Sequence, residues 1–220
     1  DQLQADGVLL RVHGGAVPAG RTSAAEPSLA AREATATEAK EHIAAAALDL
    51  IPRGLGGAVH IDAGSTAARV ARLLAAREDG NASLTLITNS VITASTLSHL
   101  TTPAVRVIGG RLRAVTGALV GAGAIDQIAG LRPDVAIIGT NAVNARFGLS
   151  TPDEAEAEVK RAAVASARRV IVVADASKLG EESLVRFGGL DDIDALVTDG
   201  EPDADLSAAL RAADVDLVRA

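Results

Sequence analysis

The sequence has no cysteine, methionine, tryptophan or tyrosine, and Phe147 and Phe187 are its only aromatic rings. Without cysteine there is no disulfide scaffold, no thiolate zinc site and no cysteine nucleophile. The histidines His13, His42, His60 and His99 are scattered singly, so neither a metal, nor another cofactor, nor histidine chemistry is expected. His60, inside an apolar run, reads as a satisfied packing residue. So few rings leave no stacking platform for single-stranded nucleic acid. The lack of methionine implies that Asp1 is not the translation start and that residues upstream have been removed. No apolar run approaches the roughly 20 residues that span a bilayer, and the N-terminus lacks the basic-then-apolar layout of a secretion signal. A soluble, cytoplasmic chain is expected.

What is present fits one globular unit. The 220 residues are 48% hydrophobic and 22% charged, with a mean hydropathy of +0.26, which is outside the disordered class and suits one domain, or one domain plus a fragment. Twenty-one basic against 28 acidic residues give a formal charge of -7. That sign opposes a phosphate backbone, so this chain alone is expected to bind DNA poorly.

Residues 1–34 are punctuated by Gly14, Gly15, Pro18, Gly20 and Pro27, have little apolar periodicity, and read as a linker or surface arm. From Thr35 the pattern changes. Thr35 and Glu38 have capping-box spacing, and Ile43, Ala47, Leu50 and Ile51 recur at helical spacing, which predicts a helix to about Ile51. Beyond Gly57, aliphatic runs alternate with amphipathic segments, and strands are expected at 59–62, 84–88, 105–108, 135–138, 170–174, 195–197 and 215–218. The pattern predicts an α/β fold, an open, mainly parallel twisted sheet with helices on both faces. Its alanine-rich helices supply little bulk, so the sheet's Val, Ile and Leu are expected to fill most of the core.

In such sheets ligands lie beyond the carboxyl ends of the strands, and here those ends are chemically alike. They run into Asp62-Ala63-Gly64-Ser65-Thr66, Thr88-Asn89-Ser90, Gly109-Gly110-Arg111, Gly139-Thr140-Asn141 and Asp175-Ala176-Ser177-Lys178. A Gly-Ser-Thr turn opening a helix offers N–H groups, hydroxyls and a helix dipole to an anion. Taken singly, Ser65 reads more simply as a helix cap. With Lys178 arriving at another strand end, one anion held by both becomes the better reading. Asn89 and Asn141 suit either sugar hydroxyls or tight turns. Gly110 suits a sharp turn or a close ligand, and Arg111 with Arg113 reads as a solvated basic edge. Glu156 and Lys160, four residues apart on a helix, either pair with each other or reach the crevice. Gly121-Ala122-Gly123 precedes a helix but follows no convincing strand, and no nucleophile elbow, Walker A loop or zinc-protease motif is present.

In order and spacing these turns, with Arg32, Lys40, the Glu156–Lys160 segment and Val197-Thr198-Asp199, resemble the effector-sensing domain of the DeoR family of bacterial transcriptional regulators of sugar metabolism. The resemblance covers nearly the whole chain. Residues 1–16 are similar to the end of that family's winged helix-turn-helix, which implies a wing remnant plus linker at 1–34 and an effector-binding domain at 35–220. The implied function is repression of sugar-use genes under the control of a phosphorylated sugar or related metabolite. Gly64, Ser65, Thr66 and Lys178 would meet the phosphate, and Asp62, Asn89 and Asn141 the hydroxyls, with Thr88, Gly110, Thr140, Glu156 and Lys160 completing the site. Operator DNA would be bound only through the helix-turn-helix helices, which this chain lacks, and the whole would be a homo-oligomer. The family's turn is often Asp-Ser-Gly-Thr-Thr, where this chain keeps the hydroxyls in a different order.

The same fold resembles ribose-5-phosphate isomerase, which makes an isomerase-like enzyme the alternative. Isomerisation needs a general base beside the sugar carbons. Here the Gly139-Thr140-Asn141 turn is uncharged and Lys160 stands at the place of the isomerases' glutamate, so binding without turnover is expected, with Asp62 and Glu156 the carboxylates in favour of an enzyme.

Overall fold

A computed structural model describes residues 9–12, 15–18, 29–77 and 83–220. Of the segment read as linker, 1–8, 13–14 and 19–28 lie outside the described residues. The rest of it is regular: β1 (Leu9–Val12) and β2 (Gly15–Pro18) form an antiparallel hairpin, and α1 spans Leu29–Ala34. Helix α2 (Thr37–Asp49) begins one residue later than the capping-box spacing predicts. Its N-cap is Ala36, in the left-handed region at φ 52°, and no side chain caps it. Thr35 is used differently, its carbonyl accepting from the Lys40 ammonium at 2.6 Å.

The chain then alternates β3 (Ala58–Ile61), α3 (Ser65–Ala75), β4 (Thr85–Thr88), α4 (Val91–Leu97) and β5 (Ala104–Val107). A short hairpin, β6 (Arg111–Arg113) and β7 (Ala118–Val120), leads into α5 (Ala122–Ala129), so the Gly121 turn does follow a strand, one too short to stand out in sequence. After β8 (Val135–Gly139) come β9 (Ala142–Asn144), β10 (Gly148–Thr151), α6 (Glu154–Ser166), β11 (Val170–Val173), β12 (Val185–Gly188), β13 (Ala195–Thr198), α7 (Ala204–Ala212) and β14 (Asp216–Arg219).

All seven expected strands lie in one sheet, ordered β14-β13-β11-β8-β3-β4-β5, with every neighbouring pair parallel. The five inner strands, covered on both faces, bury alternate residues in opposite directions and so read as near-continuous aliphatic runs, while the edge strands β5 and β14 are largely exposed. Val59, Ile61, Leu86, Val135 and Ile137 face α2 and α3, meeting Ile43, Ala47, Val70 and Leu74. Ile87, Ala136, Ile138 and Val172 face α5 and α6, meeting Ile128, Val159 and Ala163. The helices give more bulk than their alanine content suggests, since Ile43, Leu74, Leu97 and Ile128 are among the largest fully buried side chains. A second sheet, β12-β10-β9, is antiparallel and adds Val143, Leu149 and Phe187 to the core beside the fully buried Ser150 and Thr151.

The order places the site. From β3 the chain adds β4 and β5 on one side, then returns to β8 on the other and continues outward. Loops leaving β3 and β8 therefore part in opposite directions and open a crevice at their carboxyl ends.

Candidate functional site

A cavity of about 370 Å³ occupies that crevice. Its first wall is the start of α3. Gly64 is extended, a Cβ there would meet nothing within 4 Å, and Gly64 caps the helix without a side-chain hydrogen bond. The first-turn N–H groups of Ser65, Thr66 and Ala67 thus have no acceptor among the described residues, as is usual where no cap is supplied. Ser65 and Thr66 are buried against the cavity, and their hydroxyls make no hydrogen bond among the described residues. Ser65 is therefore the first residue of the helix and not its cap. By contrast Ser90, Asp153 and Asp203 do cap α4, α6 and α7.

Lys178 reaches the same cavity from the short 3-10 turn after β11, half-buried and without a hydrogen bond or ion pair among the described residues. Two more cations stand near it, neither of which sequence reasoning put in the site. Arg32 comes from α1. Lys40 comes from α2 and donates to the carbonyls of Arg32 and Thr35, the C-terminal end of α1. Burial holds the Lys40 ammonium below its ordinary value, Asp175 opposes this, and Arg69, Lys178 and Arg32 add to it. Asp175 is engaged by the Ser177 hydroxyl and N–H, and Asp199 accepts from Ala176 N–H at 2.7 Å. This wall is a cation-rich concavity with open donors, which is what an anion of phosphate size requires.

The opposite wall is polar and mostly spoken for. Thr140 donates to the carbonyls of Ala142 at 2.8 Å and Ser150 at 3.2 Å, and Asn141 Oδ1 accepts from Thr151 at 3.0 Å. That leaves the Asn141 amide nitrogen without a partner among the described residues. Glu156 accepts from the Thr116 hydroxyl and from Arg113 at 3.2 Å, and Arg113 also pairs with Asp153 at 3.1 Å. Lys160 is ion-paired with Asp62, donates to the Gly139 carbonyl at 2.9 Å, and lies 5.6 Å from the Phe187 ring centre. Glu156 and Lys160 therefore do not pair with each other.

Eight of the twelve residues expected in the site line one cavity: Gly64, Ser65, Thr66, Thr140, Asn141, Glu156, Lys160 and Lys178. The other four do not. Asp62 is buried behind the wall, holding Lys160 and accepting from Gly139 N–H at 3.2 Å. Thr88 accepts from Ser90 N–H at 3.1 Å, which makes the turn into α4. Asn89 is buried with its Oδ1 unpartnered among the described residues. Gly110 sits at φ 154°, where a Cβ would come within 2.8 Å of the Val120 carbonyl, so it serves the close approach of the chain entering β6 to the end of β7. His60 is a packing residue beside Asp62 and Lys160, yet an unsatisfied one: Nε2 is buried without a partner among the described residues, and burial, with Lys160 adding and Asp62 opposing, pulls its pKa down to about 4. Among the described residues no group of three or more histidines and acids is arranged to hold a metal ion, and no helix is long and apolar enough to cross a membrane.

A family profile described as DeoR C terminal sensor domain matches residues 35–200. The HTH-type transcriptional regulator GlpR of Haloferax volcanii is 37% identical over 99% of this chain and 82% of its own length. The glycerol-3-phosphate regulon repressor of Escherichia coli is 33% identical over 92% of this chain and 77% of its own, and the same organism's HTH-type transcriptional repressor CsqR is 32% identical over 99% and 80%. Among solved structures, ribose 5-phosphate isomerase A of Methanocaldococcus jannaschii matches 65% of this chain at 19% identity with a TM-score of 0.45, and this chain spans only 54% of that enzyme. The chain belongs to the DeoR family through its C-terminal sensor domain, as part of a transcriptional regulator rather than an enzyme.

Proposed function

We propose that the cavity binds a phosphorylated sugar or polyol and that this ligand sets the regulator's hold on its operator. The phosphate sits on the open N–H groups and hydroxyls of Ser65 and Thr66, with Lys178 as counter-charge. The hydroxyls point to the Asn141 amide, Glu156 and Lys160, with Thr140 and the Asp62–Lys160 pair fixing that wall. Thr88, Asn89 and Gly110, outside the lining, take no ligand contact in this reading. The observation that carries this reading is an uncapped helix start and an unpaired lysine facing one cavity. The name of one relative, the glycerol-3-phosphate regulon repressor, supports the ligand class. Residues 1–34, with the β1–β2 hairpin, are read as wing and linker, the regulator as a cytoplasmic homo-oligomer, and operator DNA as the ligand of its helix-turn-helix.

A panel of phosphorylated sugars and polyols tests this by thermal melting. A ligand bound only by the native state at a hundredfold excess over its Kd stabilises by about 2.7 kcal/mol. Lys178→Ala is expected to remove most of the shift given by the phosphorylated ligand while changing little for its unphosphorylated parent. No shift with any member of the panel at millimolar concentration, or equal losses for both forms, would remove the anion site.

A further inference from the structure

Among the described residues, the exposed large apolar side chains gather on one flank of the sheet. Val91 and Ile92 open α4, Val107 ends β5, and Leu112 and Val115 belong to the β6–β7 hairpin, all 38–52% exposed. Leu184, before β12, lies apart from them. The three elements are bound together. Val91 N–H donates to Gly117 O at 3.0 Å, Leu119 N–H to Asn89 O at 2.7 Å, and β5 pairs with β4, whose last residue leads into α4.

Two features say what covers this flank. First, β5 is the outermost strand, and Ala104, Arg106 and Val107 on it are exposed. Among the described residues no strand pairs with its outer row of N–H and C=O groups, and an open edge is a template for another strand. Second, residues 83–125 contain no Asp or Glu, although the chain carries 28. The net charge of -7 that keeps copies of this chain apart is therefore missing from this flank. Both signs meet at its rim: Arg106 and Arg111 are exposed, and so is Asp126 of α5, next to Gln127, which accepts from Gly109 N–H at 3.1 Å.

We propose that two copies of the chain join here, β5 against β5 and antiparallel about a two-fold axis. Ile92, Val107 and Leu112 are buried between them, and the arginines of each copy face Asp126 of the other. An antiparallel pair of identical strands satisfies itself, and a two-fold contact closes without leaving a sticky edge. The assignment rests on the reading of the chain as part of a paired regulator, and adds the surface that does the pairing.

Sedimentation velocity on the 220-residue protein tests it across roughly 1–100 µM, where interfaces of ordinary size assemble. A dimer is expected, and Val107→Asp and Leu112→Asp are each expected to raise its dissociation constant by about tenfold or more. Leu184→Asp, away from the flank, is expected to leave the mass unchanged. Both test positions are exposed, so cooperative melting is expected to persist; should either variant not melt cooperatively, Ile92→Lys takes its place. A monomer throughout the range, or variants that pair like the parent, overturns the proposal, whatever else this flank then binds. The measurement involves no sugar phosphate, so its failure is separate from failure of the anion site.

Discussion

At the scale of single residues, His60 shows how burial turns a side chain into a pH dependence. Its pKa lies at about 4 in the folded chain against 6.5 in the unfolded one. Between those values the unfolded chain takes up a proton that the folded chain refuses, so stability falls as pH drops from 6.5 toward 4 and is whole above 6.5. At 1.36 kcal/mol per unit the loss by pH 4 comes to about 3 kcal/mol. Urea unfolding at pH 7.5 and pH 4.5 is expected to show His60→Leu, which loses no hydrogen bond at Nε2, with about 2 kcal/mol less difference between the two pH values than the parent. Identical pH dependence in the two proteins would show that His60 does not carry the effect. Residue chemistry was only partly readable in the sequence. The position of His60 in an aliphatic run signals packing, but nothing there signals that Nε2 goes unpaired. Likewise Glu156 and Lys160 at helical spacing announce a shared face, while their separate partners, Arg113 with Thr116 and Asp62, come from distant strands and turns.

Elements differ in how plainly they are written. The five inner parallel strands were legible because they are buried on both faces, which forces near-continuous aliphatic runs, and the edge strands β5 and β14 were legible from their Val and Leu although they are largely exposed. The β9–β10–β12 sheet was not, because its strands are only three or four residues long and set Gly, Ser, Thr, Asn and Arg among the apolar positions, so no run stands out. Helix starts were the least legible, since the same hydroxyl residues serve as caps or as open donors. Ser90 caps α4 by accepting from Thr93 N–H at 3.1 Å, whereas Ser65 makes no such bond. Ser90→Ala is therefore expected to cost about 1 kcal/mol of stability in denaturant melts. Ser65→Ala in the absence of ligand is expected to stay within about 0.5 kcal/mol of the parent, as substitutions away from such features do. Its loss appears only in the shift produced by a phosphorylated ligand. If Ser65→Ala destabilises the free chain as much as Ser90→Ala, the hydroxyl is a structural cap and not a ligand donor.

For the molecule as a whole, the strand order does what no local pattern announces. It puts the ends of β3, β8 and β11 on one rim, and it lets α1 and α2 fold against that rim so that Arg32 and Lys40 join the cavity from residues that precede the sheet. Sequence order alone offered no sign of this, because the contact depends on which strands flank β3. The same global view separates sensing from DNA contact. The charge of -7 opposes the duplex, and several cations are already neutralised within the fold: Arg69 by Glu41, Arg113 by Asp153 and Glu156, Lys160 by Asp62 and Arg219 by Glu201. Arg32, Lys40 and Lys178 meet in the cavity, which at about 370 Å³ admits a small anion and not a duplex. Non-specific duplex binding rests on phosphate neutralisation and typically reaches a Kd of about 10⁻⁴–10⁻⁶ M at physiological salt. These 220 residues are expected to fall on the weak side of that range in a fluorescence-anisotropy titration, with little gain when salt is lowered. Binding in the micromolar range that strengthens steeply at low salt would mean that this sequence presents a basic surface to DNA, and the division between a sensing body and a separate DNA-reading head would have to be abandoned.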